Sequence, residues 1–131
     1  MGNSLIHSYR DLKVWQQAME LSEACYRLTR NFPKDELYGM TAQIRHASVS
    51  VPANIAEGNE RESRGEYIQF LRVAQGSLKE LETHLLLAHR IQTTTLKEVE
   101  PILDRCEAVG KMLRALIRSL QKGREECRRQ A

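Results

Sequence analysis

Seven residues, Tyr67, Leu71, Ala74, Leu78, Leu81, Leu85 and Ala88, follow one another in steps of four and three. Side chains at those separations share one face of an α-helix, so the run specifies a helix with a continuous apolar stripe. Ser63 and Glu66 form a capping box ahead of it, and the spacing predicts a helix from about Gly65 to Ile91. A stripe of that length needs other helices to cover it. Gly76 and Ser77 interrupt the run with poor helix formers, which predicts the close approach of another backbone at that point.

Three other segments have the same character. The first is expected from about Asp11 to Asn31, with a capping box at Ser8 and Asp11. It carries two stripes: Leu12, Trp15, Met19, Ser22, Tyr26, and Val14, Ala18, Leu21, Cys25, Leu28, Phe32. Together they span roughly half the circumference, wider than one bundle face needs, and a contact with another subunit would account for the excess. The second segment is expected from about Asp35 to Glu57, along Leu37, Met40, Ile44, Ala47, Val51 and Ile55. Pro52 interrupts its amide ladder and predicts a kink, while Gly58 suits a left-handed position just past the C-terminus. The fourth is expected from about Leu96 to Gln121, opened by Thr95 and Glu98 and closed by Gly123. Val99, Leu103, Cys106, Gly110, Leu113, Ile117 and Leu120 form its stripe, with Ile102, Val109 and Leu116 alongside. Pro101 requires either a later start or a distorted first turn.

Four amphipathic segments with short connections predict an all-α protein, an antiparallel up-down-up-down four-helix bundle with long helices. Residues 1–10 are expected to be an N-terminal extension, 11–122 a single bundle domain and 123–131 a flexible, basic polar tail. The 131 residues fit one domain. No apolar run approaches the ~20 residues of a membrane span. No signal sequence opens the chain, and Cys25, Cys106 and Cys127 are far apart with no C-x-x-C pair, so reduced thiols and a cytoplasmic location are expected.

Net charge is only +3, too small to imply a polyanion partner, but it is unevenly placed. Residues 1–65 carry eight basic and eight acidic side chains; residues 111–131 carry seven and two. Lys111, Arg114, Arg118 and Lys122 fall within about an 80° arc at about 100° per residue, opposite Val109, Leu113, Leu116 and Leu120. With Arg124, Arg128 and Arg129 this row has the form of a phosphate-tracking face. It also has a purely structural reading, in which basic residues complement a helix C-terminus and Glu107 pairs with Lys111.

A second set of polar residues, Arg45, Asn54, Glu57, Glu80 and Glu82, lies on or near apolar helices. It is either a recognition surface or an internal network. In the latter reading, Asn54 and Glu57 satisfy backbone freed by Pro52 and the helix end, and Arg45 pairs with a carboxylate on a neighbouring helix. Di-iron bundle chemistry needs Glu-x-x-His on two helices, and the chain has no such tetrad: His84 follows Glu80 by four, and His7, His46 and His89 stand alone. Phosphate-binding glycine loops and the nucleophile elbow are also missing, and Cys25 and Cys106 sit on apolar stripes. The residues therefore point to no enzyme, no metal and no cofactor.

Several pieces of the chain resemble one family in order: Asp11-Leu12-Lys13-Val14-Trp15, Phe32-Pro33, Glu36-Leu37-Tyr38-Gly39, Gln43-Ile44-Arg45, Ser50-Val51-Pro52-Ala53-Asn54-Ile55-Ala56-Glu57-Gly58, Phe70-Leu71 and Gly76-Ser77-Leu78-Lys79-Glu80-Leu81-Glu82. Over about residues 8–120 the chain is similar to the four-helix bundle proteins related to the protein encoded in 23S rRNA intervening sequences. The resemblance implies an antiparallel bundle assembled into a ring-like homopentamer. More distantly, it extends to the accessory protein of diversity-generating retroelements, a basic pentamer that binds nucleic acid and a reverse transcriptase. The resulting expectation is a non-enzymatic homo-oligomer that binds RNA or DNA, RNA favoured, through its basic face. The alternative is a protein-interaction scaffold, its partner unknown, with no nucleic-acid role. Neither reading involves a membrane.

Overall fold

The computed structural model describes residues 8–130, with side chains as far as residue 123. Four α-helices account for most of it: α1 (Lys13–Thr29), α2 (Met40–Asn59), α3 (Arg64–Arg90) and α4 (Leu96–Gln130). There is no strand among the described residues. Helix α2 packs between α1 and α3, α4 packs on α3 and returns to α1, and the four enclose one core. The result is a four-helix bundle, the fold class the apolar spacing predicts.

The stripes identify the core. Val14, Ala18, Leu21, Cys25, Leu28 and Phe32 of the first segment are buried, as are Leu71, Ala74, Leu78, Leu81, Leu85 and Ala88 of α3. On α4, Val99, Cys106, Val109, Leu113 and Ile117 are buried, with Leu103, Leu116 and Leu120 packed against them. The other stripe, from Leu12 to Tyr26, is covered unevenly, with Ser22 buried. Leu12 and Trp15 are partly buried, Trp15 against the edge of the Tyr9 ring at 5.3 Å, but Met19 and Tyr26 stay 39% and 38% exposed.

The ends of the helices correct the sequence reading in several places. The capping box of Ser8 and Asp11 forms, but it caps a 3₁₀ turn, Tyr9–Asp11, and α1 starts after it. Another 3₁₀ turn, Lys34–Glu36, takes up the start expected for the second helix. Helix α2 begins only at Met40, and Leu37 and Tyr38 face solvent. Apolar spacing alone carried the expected helix back through a segment that Pro33 and Gly39 divide into turns.

Gly58 is not in a left-handed cap. It lies within α2, buried, and a Cβ there would stand 2.8 Å from Cβ of Phe70 and 3.2 Å from the Tyr67 carbonyl oxygen. Its lack of a side chain is what lets α2 and α3 close at this point. Gly76, where close approach is expected, is exposed and has nothing within 4 Å of an added Cβ. Among the described residues the left-handed one is Gln92, with φ 65°. It ends α3 in a Schellman motif, with the Thr93 amide donating to the Ala88 carbonyl and the Gln92 amide to His89.

Helix α4 starts at Leu96, as the spacing predicts, and continues through Pro101. Thr95 accepts from the Glu98 amide at 3.2 Å, while the Glu98 carboxylate takes the Thr94 hydroxyl at 2.7 Å and does not close the box. The helix also continues through Gly123, where an end is expected, to Gln130. The Arg64 guanidinium lies against Gly123, tying the start of α3 to this part of α4. No helix among the described residues is long and apolar enough to cross a membrane.

Candidate nucleic-acid interface and signature polar network

On α4, the inward residues Val109, Leu113 and Ile117 fix which face looks out, and Lys111, Arg114, Arg118 and Lys122 are all exposed. The structure therefore brings these four together on one outer face. Lys111 is paired with Glu107 at 3.5 Å, the i,i+4 contact of the structural reading. Arg114, Arg118 and Lys122 have no ion pair among the described residues. Arg124, Arg128 and Arg129 fall outside the residues whose side chains are described, as does Cys127.

A groove of about 690 Å³ runs between α3 and α4 beside this row. Its floor is Leu78, Leu103, Cys106 and Gly110; its rim alternates Lys79 and Arg114 with Glu82 and Glu107. The charges on the rim balance, so the groove has no electrostatic preference for a polyanion. Any pull on phosphate from α4 has to come from its outer face.

The signature polar residues do not form one site. Arg45 finds no carboxylate among the described residues. Its Nε donates to the Thr29 hydroxyl at 2.8 Å, and its guanidinium lies over the Tyr26 ring, 4.6 Å from the centroid. Glu57 pairs with Arg61 at 3.0 Å on the surface. Glu82 pairs with Lys79 at 3.2 Å. Glu80 stands 3.6 Å from His84 Nε2, which is enclosed and has no hydrogen-bond partner among the described residues. Exposed pairs of this kind contribute little to stability.

The groups that satisfy the backbone around Pro52 differ from those expected. Pro52 has no N–H, so the Ser48 carbonyl lacks its helical donor. The Ser22 hydroxyl, reaching across from α1, donates to that carbonyl at 2.8 Å. Ser22 and Ser48 are both buried. Asn54 instead donates through its side-chain amide to the Ser50 carbonyl at 2.8 Å, and Ser50 shares a 2.7 Å hydrogen bond with Ser77 of α3. This chain of small polar groups links α1, α2 and α3. Sequence reasoning placed Ser22 on a buried stripe but had no local signal for its partner.

The signature segment thus holds α2 in register between its neighbours, and comparison with known proteins bears on the same stretch. Residues 10–115 match the family described as 23S rRNA-intervening sequence protein. The chain belongs to this family. A solved structure from Bacteroides thetaiotaomicron, a protein of unknown function from the S23 ribosomal protein family, is 26% identical with a TM-score of 0.72. That match covers 79% of this chain and 97% of the other. No curated protein matches the sequence. The family match takes in Lys111 and Arg114, whereas Arg118 and Lys122 lie beyond its end.

Among the described residues, two thiols and one phenol are perturbed. Burial pushes Cys25 from 9.0 up to about 12, opposed in part by the Ser48 side chain. Burial, then Cys25 itself, pushes Cys106 up as well. Such thiols are poor nucleophiles. Tyr67 is raised by burial, offset in part by the Asn59 amide, which donates to its hydroxyl at 3.1 Å. Among the described residues, no group of three or more His, Cys, Asp or Glu side chains converges as a metal site would require.

Proposed function

We propose that this member of the family is a non-enzymatic, self-associating helical scaffold that binds nucleic acid, RNA in preference, through the outer face of α4. The observation that carries the reading is the row Arg114, Arg118 and Lys122, exposed and without carboxylate partners among the described residues. Contacts from such a row go to the phosphodiester backbone and carry no base readout.

An antiparallel, up-down-up-down arrangement is supported by cross-helix contacts that run in opposite senses between α1 and α2 and between α2 and α3. Ser22 meets Ser48 while Thr29 meets Arg45; Ser50 meets Ser77 while Asn59 meets Tyr67. Self-association is supported by α2, which carries apolar or small residues on its outer side too. Exposed Val49 joins Met19, Tyr26 and Pro52 in a cleft of about 370 Å³. Val49 and Ala53 sit among exposed Gln43, His46 and Glu57 on that side, and a local apolar patch rimmed by polar residues is the form of an interaction site. A second copy over α1 and α2 would leave the α4 face free, and repeating it around a ring of five, the assembly the resemblance implies, would raise avidity without new contacts. The buried free thiols Cys25 and Cys106 support a reducing, cytoplasmic setting.

The test is the pair of substitutions Arg114→Glu and Arg118→Glu, made on an exposed face. Loss of RNA binding with unchanged helical content and oligomeric mass is the expected result. Undiminished binding would refute the α4 assignment. The same cleft, its apolar residues flanked by Glu23, Arg27 and Arg30, favours a second reading, a scaffold for protein partners alone, in which the wild-type protein binds no RNA even at low salt.

A further inference from the structure

A cleft of about 270 Å³ lies where α1 gives way to α2, walled by Phe32, Leu37 and Thr41. Arg30, Lys34 and Arg45 line it, and no carboxylate does. The clefts along α4 are composed differently. The α3–α4 groove balances its cations with Glu82 and Glu107, and a small cleft on α4 sets Lys111 against Asp104 and Glu107. Among the described residues neither Arg30 nor Lys34 has an ion pair.

Arg45 is already positioned. Its Nε is engaged by Thr29, whose own hydroxyl donates to the Cys25 carbonyl at 2.8 Å, and Thr29 is buried. The Tyr26 ring supports the guanidinium face. Both Nη groups are without partners among the described residues, and two such donors on one rigid plane match two oxygens of a tetrahedral oxyanion. Because the side chain is held by Thr29 and Tyr26, little rotamer entropy remains to be lost on binding.

The backbone adds a further contribution. Helix α2 begins after Gly39 with no side-chain cap, and Thr41 of its first turn lines the cleft. The leading amides of a helix lack intrahelical acceptors and favour an anion. The Glu36 carboxylate lies near Gly39, 3.7 Å from where a Cβ would be, but does not line the cleft.

We propose that this cleft is a phosphate site, in which Arg45 grips the phosphate oxygens, Arg30 and Lys34 neutralise the charge, and the start of α2 supplies amide donors. The shared chemistry is a phosphate group, whether free, at the end of a strand or within a nucleic-acid backbone. The site goes beyond the α4 face and does not depend on it.

The experiment is titration of the full chain with inorganic phosphate against sodium chloride at equal ionic strength, followed by backbone amide NMR. Phosphate-specific shifts concentrated at Met40, Thr41 and Arg45 are expected. Arg30→Gln and Arg45→Gln should each weaken the affinity about tenfold, the scale of one charge-assisted hydrogen bond. Arg30 is exposed, so its variant keeps the test sound if Arg45→Gln loosens the fold through Thr29. Glu36→Gln should tighten binding, a gain that misfolding cannot produce. Arg114→Glu with Arg118→Glu should leave phosphate binding intact, which separates this site from the α4 reading. A short RNA carrying a 5′-phosphate, compared with its 5′-hydroxyl form, identifies the source: preference for the former assigns a terminal phosphate, and equal, Arg45-dependent binding assigns the backbone. Shifts no larger than chloride produces, or shifts unaffected by Arg30→Gln and Arg45→Gln, would overturn the proposal.

Discussion

Replacing Ser22 by Ala removes one hydroxyl, yet the cost is expected to exceed that of an ordinary hydrogen bond. The Ser48 carbonyl is buried and has lost its helical donor to Pro52, so Ser22 is its replacement at 2.8 Å. Leaving a buried acceptor unsatisfied costs about 1–3 kcal/mol, against about 1 kcal/mol for a typical net hydrogen bond. The dependence on Pro52 can be isolated. In Pro52→Ala the backbone amide returns, Ser48 regains its donor, and Ser22→Ala should then cost less than about 0.5 kcal/mol, as an innocuous substitution does. The cycle should give a coupling of about 1–2 kcal/mol, within the range for residues in one network. Chemical denaturation of the four proteins at one fixed protein concentration measures it, since self-association makes apparent stability concentration-dependent. An equal cost of Ser22→Ala in both backgrounds would refute the reasoning. It would mean that the hydroxyl serves the Ala18 carbonyl, 3.1 Å away on its own helix.

Other substitutions probe the remaining contacts. Gly58→Ala forces a Cβ to within 2.8 Å of Phe70, and overpacking of about 1–3 kcal/mol should outweigh the improved helix propensity in a thermal melt. Gly76→Ala meets open space and should stabilise a monomer by about 0.5–1 kcal/mol; a loss that grows with protein concentration would instead place a second copy at that residue. Gln92→Gly relieves a left-handed non-glycine residue and should raise stability, with unchanged stability counting against the strain. Cys25 bears on alkaline stability. Its folded value of about 12 lies above the ordinary 9.0, so its contribution is complete below pH 9 and is lost as pH rises towards 12. Denaturation midpoints should therefore fall across that window, and less steeply in Cys25→Ala; an unchanged slope would place the titration elsewhere.

The contrast between what the sequence revealed and what it concealed is physical. Heptad spacing is local, so the Val14-to-Phe32 stripe of the first segment and the stripes of α3 and α4 identified buried residues directly. Gly58 misled because a glycine after an apolar stripe resembles a stop, and only the position of Phe70 shows that it is a close crossing. Leu37 fitted the spacing of α2 but sits in the turn that Pro33 and Gly39 impose. The row on α4 was readable because its residues share one helix. The cationic cleft was not, because residues 30, 34 and 45 meet only where the chain turns from α1 into α2. The partner of Arg45 was missed for a related reason: an arginine on an apolar helix suggests a carboxylate, whereas Thr29 and the Tyr26 ring hold it without charge.

The most direct measurement is an RNA-binding titration across a range of salt concentrations, with oligomeric mass determined on the same samples. Arg114, Arg118 and Lys122, without ion pairs among the described residues, should give on engaging a single strand a slope of log K against log salt of about −2 per subunit, at roughly −0.7 per phosphate neutralised. Arg114→Glu with Arg118→Glu should abolish most of that slope. Binding by an oligomer that weakens in this way is the result expected of an α4 phosphate-contacting face. Binding that is indifferent to salt, or no binding at low salt, would contradict it.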